Sequence, residues 1–155
     1  MAKEEDITVI ATNRKARHDF HILQTFEAGL SLRGAEVKSL RGRKASFADS
    51  YAKPVRGEII LYNLHIAAYE HDGREVPDPT RPRRLLLNRR EIRRLDGRVS
   101  QEGLTIVPLR LYFRGPYAKI ELGLARGKRK YDHRHDVAER DAKRAARRAM
   151  KHDLR

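Results

Sequence analysis

The sequence predicts a mainly β chain: a small closed or nearly closed antiparallel barrel with short helices in its intervals, followed by a basic C-terminal tail. Three observations carry this reading. Several stretches alternate apolar and polar residues over the length of a strand, and two pairs of them flank turn signals. Outside the tail, only two short stretches repeat apolar residues at helical spacing. The last thirty residues, 126–155, hold twelve Lys or Arg against five Asp or Glu, a net +7 that is half of the +14 carried by all 155 residues.

The first six residues are polar and expected to fray. Ile7 to Ala11 reads as an edge strand. NRKARHDF then places Asn13, Arg14, Lys15, Arg17 and His18 within six residues. No apolar period runs through it, so it reads as an exposed basic segment. The strand from Phe20 to Leu30 alternates imperfectly, and the break between Ile22 and Leu23 marks a bulge. Gly34 to Arg41, with Val37 and Leu40 three apart, reads as a short helix. Asp49 to Val55 and Glu58 to Ala68 form a hairpin around Arg56-Gly57, with Ile60, Tyr62, Leu64 and Ile66 on one face. Pro54 has no ladder donor and needs an edge or a bulge.

His71 to Arg84 carries Gly73, Pro77, Pro79 and Pro82 among charges and reads as a long loop. Asn88 and Glu91 form a capping box, and Ile92, Leu95 and Val99 then repeat by three and four, giving a helix from Arg89 to Ser100 that stops before Gly103. Leu104 to Phe113 and Tyr117 to Ala125 flank Arg114-Gly115-Pro116 as the clearest hairpin, with Ala118, Ile120, Leu122 and Leu124 on one face. Five or six strands left flat would expose edges, so closure follows. An oligonucleotide-binding type of barrel leads, although periodicity leaves other small β-barrels open. The barrel is expected over residues 1–125 and the tail over 126–155.

The tail offers Val137, five alanines, Met150 and Leu154, with Tyr131 at its root. That is too little apolar surface to offset the entropy of ordering, so the tail alone is expected unfolded. Ala138, Ala142, Ala145 and Ala149 nevertheless step by four, three and four. Residues 136–151 are therefore expected to wind into a helix on a partner. A solvated basic tail is the bland alternative; the charge favours a polyanion.

Composition narrows the function. The absence of cysteine excludes disulfides and thiolate metal sites. No apolar run approaches eighteen residues, no signal-peptide core appears, and no bulky amphipathic helix supports membrane binding. A cytoplasmic protein with a nucleic-acid partner is expected from a pI near 10.5. Asp132, His133, His135 and Asp136 hold potential metal ligands, but Arg and Lys crowd them in a flexible segment. No nucleophile triad, HExxH or GxxxxGK[ST] appears, so neither enzyme, cofactor nor metal is expected. Glu27 and Glu36 read either as ordinary surface charges or as acceptors for a base amino group or ribose hydroxyl.

The succession NRKARHDF, FEAGLSLRGAEVKSLR, DSY, DPTRPRRLLLN, EIRRLDGRVSQEG, TIVPLRLYF and KIELGLARGKRKYDHR resembles small protein B, the SsrA-binding family of bacterial trans-translation, over nearly the whole chain. The resemblance implies an oligonucleotide-binding barrel and a non-enzymatic partner of transfer-messenger RNA, a monomer bound to that RNA. The barrel would grip the tRNA-like part and bring it to ribosomes stalled on messages without a stop codon. The tail would enter the empty decoding centre and message channel of the small subunit. A general RNA binder or RNA chaperone with the same barrel is the alternative.

Position by position, the resemblance assigns RNA contacts to Asn13, with Arg14 and Lys15 beside it, and to Glu27 and Leu86. Lys38 and Lys119 become phosphate contacts. His18 and Tyr131 match places where the family offers a ring near the decoding bases. Gly127, Lys128, Arg129, Lys130, Asp132 and Arg134 match the tail elements. His133 stands where Lys is usual, so its charge depends on protonation. Leu86 is the middle of three leucines, and barrel core remains the alternative for it.

Overall fold

The computed structural model describes residues 6–68, 77–128, 140 and 142–148. Its elements are β1 (Ile7–Thr12), α1 (Arg14–Asp19), β2 (Phe20–Leu30), α2 (Gly34–Arg41), β3 (Ala45–Ser46), β4 (Tyr51–Val55), β5 (Glu58–Tyr62), β6 (His65–Ile66), β7 (Arg83–Leu86), α3 (Arg89–Glu102), β8 (Thr105–Arg114) and β9 (Tyr117–Gly127). Strands β8, β4, β5, β7, β2 and β9 pair in that order, and β9 pairs back with β8 to close an antiparallel barrel. The long β8 has a shared side: its start meets β4 at Ala52 and Ile106, while its second half carries β1. Pro54 lies beyond that single β4–β8 rung, where no donor is needed.

Alternation along the strands fills the interior with Phe26 and Ala28 of β2, Ile59 and Leu61 of β5, Leu85 of β7, Ile106 and Leu111 of β8, and Ile120, Leu122 and Leu124 of β9. Helices α2 and α3 add Leu40 and Leu95 to the same core. The expected bulge is present: β2 slips against β9 between Ile22 and Gln24. At the start of α3, Asn88 Oδ1 accepts from the Glu91 amide at 2.8 Å. Gly103, at φ +65°, ends that helix in the left-handed conformation glycine adopts without strain.

Three expectations are corrected. NRKARHDF keeps Arg14, Lys15, Arg17 and His18 exposed, but the segment is not irregular: Arg14–Asp19 is helical, capped by Asn13. Its buried Ala16 packs against Val107, Leu109 and Ala125 in a second small core. One buried residue makes no period, which is why the helix was invisible. Second, Glu58 to Ala68 is not one strand. Asn63 turns at φ +65°, β6 pairs with β3 instead, and Ile59 and Leu61 rather than Ile60 and Tyr62 face the core. Leu64 and Ile66 are buried after the turn has shifted the phase. Third, the 71–84 loop ends in a strand, β7, whose inward residues are Arg83 and Leu85. The expected fraying falls on residues 1–5 and much of that loop on 71–76, outside the described residues. The first hairpin arm starts at Tyr51 instead of Asp49, and β9 runs to Gly127 instead of Ala125.

Candidate nucleic-acid interface

Residues directly opposite on neighbouring strands share one face of a sheet. The register therefore lines up Leu86 of β7, Gly29 of β2, Lys119 of β9 and Tyr112 of β8 in one row on the outer face of the barrel. Glu27, Glu121 and Arg110 form the next row. Leu86 is 47% exposed while its neighbour Leu85 is fully inside. Gly29 makes room for it: a Cβ there would sit 3.2 Å from Leu86 Cβ. The core reading of Leu86 thus falls to Leu85.

Charge on this face is prearranged. Tyr112 Oη and Arg114 Nη2 both donate to Glu27 Oε2, the latter at 2.7 Å. The Arg110 guanidinium lies 4.7 Å from the Tyr112 ring centre, and Arg110 and Arg17 both pair with Glu121. Burial opposes ionisation of Glu27, but the hydrogen bonds from Tyr112 and Arg114 and the charges of Arg114 and Lys119 outweigh it and hold the carboxyl below its ordinary value. Burial and the neighbouring carboxylate push the Tyr112 hydroxyl up to about 12, so it stays a donor. Among the described residues no donor reaches Glu27 Oε1. That oxygen is an ionised acceptor in a basic surroundings, able to take a proton from an amino group or a sugar hydroxyl.

A second group gathers at the root of the tail. Asn13 is buried: Nδ2 donates to the Pro108 carbonyl at 2.8 Å, its backbone amide to Leu109 at 2.8 Å, and Oδ1 accepts from the Ala16 amide at 3.2 Å. It pins α1 to β8 and so positions Arg14, Lys15 and His18. Lys15 pairs with Asp49 at 3.1 Å, and His18 Nδ1 lies 3.0 Å from Asp19 Oδ1. The Lys128 amide donates to the Asp19 carbonyl and Phe20 stands opposite Gly127, which brings α1 beside Gly127 and Lys128. Lys38 is exposed on α2, the helix that packs beside β6. Arg129, Lys130, Tyr131, Asp132, His133 and Arg134 lie outside the described residues. Further along, residues 140 and 142–148 are helical and exposed.

Glu36 is no surface charge. It is buried between Arg81 and Arg83, and Arg83 also donates to the Leu64 carbonyl at 2.6 Å and the Pro79 carbonyl at 3.0 Å. Burial raises the cost of ionising Glu36, yet donation from Arg81, the Arg33 amide and Arg83 holds its carboxyl below the ordinary value. Burial in turn pulls Arg83 down from its ordinary value against the opposing pull of Glu36. This triad fastens the chain before β7 onto α2.

The family model for SmpB protein matches residues 10–152. This chain belongs to the SmpB protein family. Among similar proteins, the SsrA-binding protein of Pelotomaculum thermopropionicum is 52% identical over 149 residues, covering 96% of this chain and 97% of that one. The SsrA-binding protein of Acetivibrio thermocellus is 52% identical over 155 residues, covering 100% of both chains. A solved chain described under "tmRNA-SmpB: a journey to the center of the bacterial ribosome" is 51% identical, with a TM-score of 0.65 over 82% of this chain and 93% of that chain.

In this chain, sequence reading missed Arg110, Tyr112, Arg114 and Glu121. Their signal was the polar side of the last hairpin, Arg110, Tyr112 and Arg114 on one arm and Lys119 and Glu121 on the other, two residues apart. Strand alternation places such residues together outside the barrel.

Proposed function

We propose that this SmpB chain binds the tRNA-like part of transfer-messenger RNA and delivers it to stalled ribosomes in the cytoplasm. The tail, in this reading, probes the decoding centre and the empty message channel. The observation that carries it is the outer face that joins Glu27, Lys119 and Leu86 in two adjacent rows, formed in a chain about half identical to SsrA-binding proteins over its whole length. Lys119 meets phosphate, Leu86 packs on an exposed base or sugar, and Glu27 Oε1 selects a donor that phosphate lacks. Asn13 acts by holding α1 in place. His18 and the tail root then face the decoding bases, and the basic tail orders only where an empty channel leaves phosphates available to it. The chain acts by binding and placement, without chemistry of its own.

Competition binding of the full chain tests this, with a tRNA-like fragment against ordinary tRNA and duplex RNA across a salt series. Preference for the tRNA-like fragment that persists at high salt is expected, because counterion release alone gives none. Equal affinities that collapse together reduce the protein to a general RNA binder. Truncation after Lys128, which leaves β9 whole, should spare RNA binding and abolish rescue of stalled ribosomes; loss of both would overturn the division between barrel and tail.

A further inference from the structure

Helix α3 buries Leu95 and packs Ile92 and Val99 on the core. Its opposite face presents Arg89, Arg90, Arg93 and Arg94, all exposed. Two pairs, Arg89 with Arg93 and Arg90 with Arg94, stand four residues apart, about 6 Å along the axis. Like charges at that spacing destabilise a helix, and cations are disfavoured in its first turns. The fold therefore gains nothing from this cluster.

Six arginines of the barrel are paired with carboxylates: Arg17 and Arg110 with Glu121, Arg81 and Arg83 with Glu36, Arg84 with Glu58, and Arg114 with Glu27. On α3 itself, Arg98 pairs with Glu102 at 2.7 Å. Among the described residues no carboxylate lies within ion-pair distance of Arg89, Arg90, Arg93 or Arg94. Gly97 continues the same face. A glycine inside a helix is destabilising, and no neighbour demands one here, since a Cβ at Gly97 would meet nothing within 4 Å. It leaves open the backbone next to the four guanidinium groups.

The strip starts close to the Glu27 face. Helix α3 begins past Asn88, two residues after Leu86, and returns to β2 where Arg98 Nη1 donates to Gln24 Oε1 at 3.3 Å. Arg89 and Arg90 thus stand three and four residues from Leu86 along the chain. Four planar forks in two rows suit a succession of phosphates, which they bind bidentately.

We propose that Arg89, Arg90, Arg93 and Arg94 form a phosphate-binding strip that holds the backbone of the same tRNA-like RNA seated on the Glu27, Lys119 and Leu86 face. This rests on the function proposed above. It adds a surface that gives affinity, where Glu27 gives selectivity.

The test uses the full chain carrying Arg89→Gln, Arg90→Gln, Arg93→Gln and Arg94→Gln together. Gln keeps helix propensity and removes the repulsion, so melting at or above the unsubstituted protein is expected. Binding to the tRNA-like fragment is then measured from about 50 to about 200 mM salt. Four lost phosphate contacts, at about 0.7–0.9 each, should flatten the slope of log affinity against log salt by about 3, so that the low-salt deficit shrinks roughly a hundredfold across that range. The pair Arg90→Gln and Arg94→Gln should give about half that change in slope. An unchanged slope on the tRNA-like fragment overturns the strip, as does a change confined to duplex RNA. If the unsubstituted protein shows no preference for the tRNA-like fragment, the function proposed above fails as well, so the two failures are told apart by that arm.

Discussion

Glu36 and Glu27 are the same side chain in the same arrangement, each with two strong donors, each held below its ordinary value by them against burial. One lies inside and the other outside. Glu36 is 4% exposed and its partner Arg83 1%, whereas Glu27 is 37% exposed. The contrast separates two uses of a carboxylate in a basic protein. A buried one has all its capacity consumed by the fold and fixes chain positions. An exposed one, prearranged by Tyr112 and Arg114, keeps an oxygen for a partner.

The largest effect should come from breaking the inner pair. Glu36→Gln leaves Arg83 charged and buried without its counterion, and such a loss costs about 3–5 kcal/mol. Denaturant titration should show it as a lower midpoint with an unchanged slope. Acid reports the same carboxylate. A Glu whose folded pKa is depressed contributes stability above its ordinary value of 4.5 that is lost as pH falls through the lower folded value. The unsubstituted protein should therefore weaken as pH drops below about 4.5, and Glu36→Gln should flatten that limb. A midpoint shift under 1 kcal/mol would mean that the triad is not a fastening.

Glu27→Gln sharpens the contrast from the other side. Gln still accepts from Tyr112, and exposed ion pairs contribute about 0–1 kcal/mol, so stability should barely change. RNA discrimination should change more: loss of one specific acceptor is worth about 1–3 kcal/mol, read as preference for the tRNA-like fragment over duplex RNA. Reduced affinity for both RNAs in equal proportion would make Glu27 a structural residue after all.

The two sites also differ in how far the sequence disclosed them. Most strands, the bulge near Ile22 and the capped helix α3 follow from alternation and end signals, because their apolar residues are the ones that go inside. β7 defeats that logic. Its pattern is Arg83 in, Arg84 out, Leu85 in, Leu86 out, and an inward arginine makes sense only once Glu36 is known to meet it across 47 residues of chain. The split of β5 from β6 was hidden for a different reason. The left-handed turn at Asn63 resets the phase, so apolar residues at even positions read as one face although they lie on two elements. Of the candidate site, Glu27, Lys119 and Leu86 came from the family resemblance and the barrel register brings them together. Alternation puts Tyr112, Arg110 and Arg114 on the polar side of the last hairpin, but only the register across β2, β9 and β8 brings them to Glu27, and a single strand cannot reveal that.

The finest comparison is between two adjacent leucines. Leu85 is buried, and truncation to Ala should cost about 2–5 kcal/mol through lost transfer energy and the cavity left in the barrel. Leu86 lies over Gly29 with about half its surface in solvent, so Leu86→Ala should change stability by no more than about 0.5 kcal/mol. Its effect should appear on RNA instead, as faster dissociation of the tRNA-like fragment, since an apolar side chain that packs on a base adds residence time and not electrostatic steering. The salt slope should stay where it was, because no phosphate contact has been removed. Equal destabilisation by the two alanines would place Leu86 in the core and take it out of the interface. A changed slope would show instead that Leu86 had been holding Lys119 toward a phosphate across the side-chain gap at Gly29.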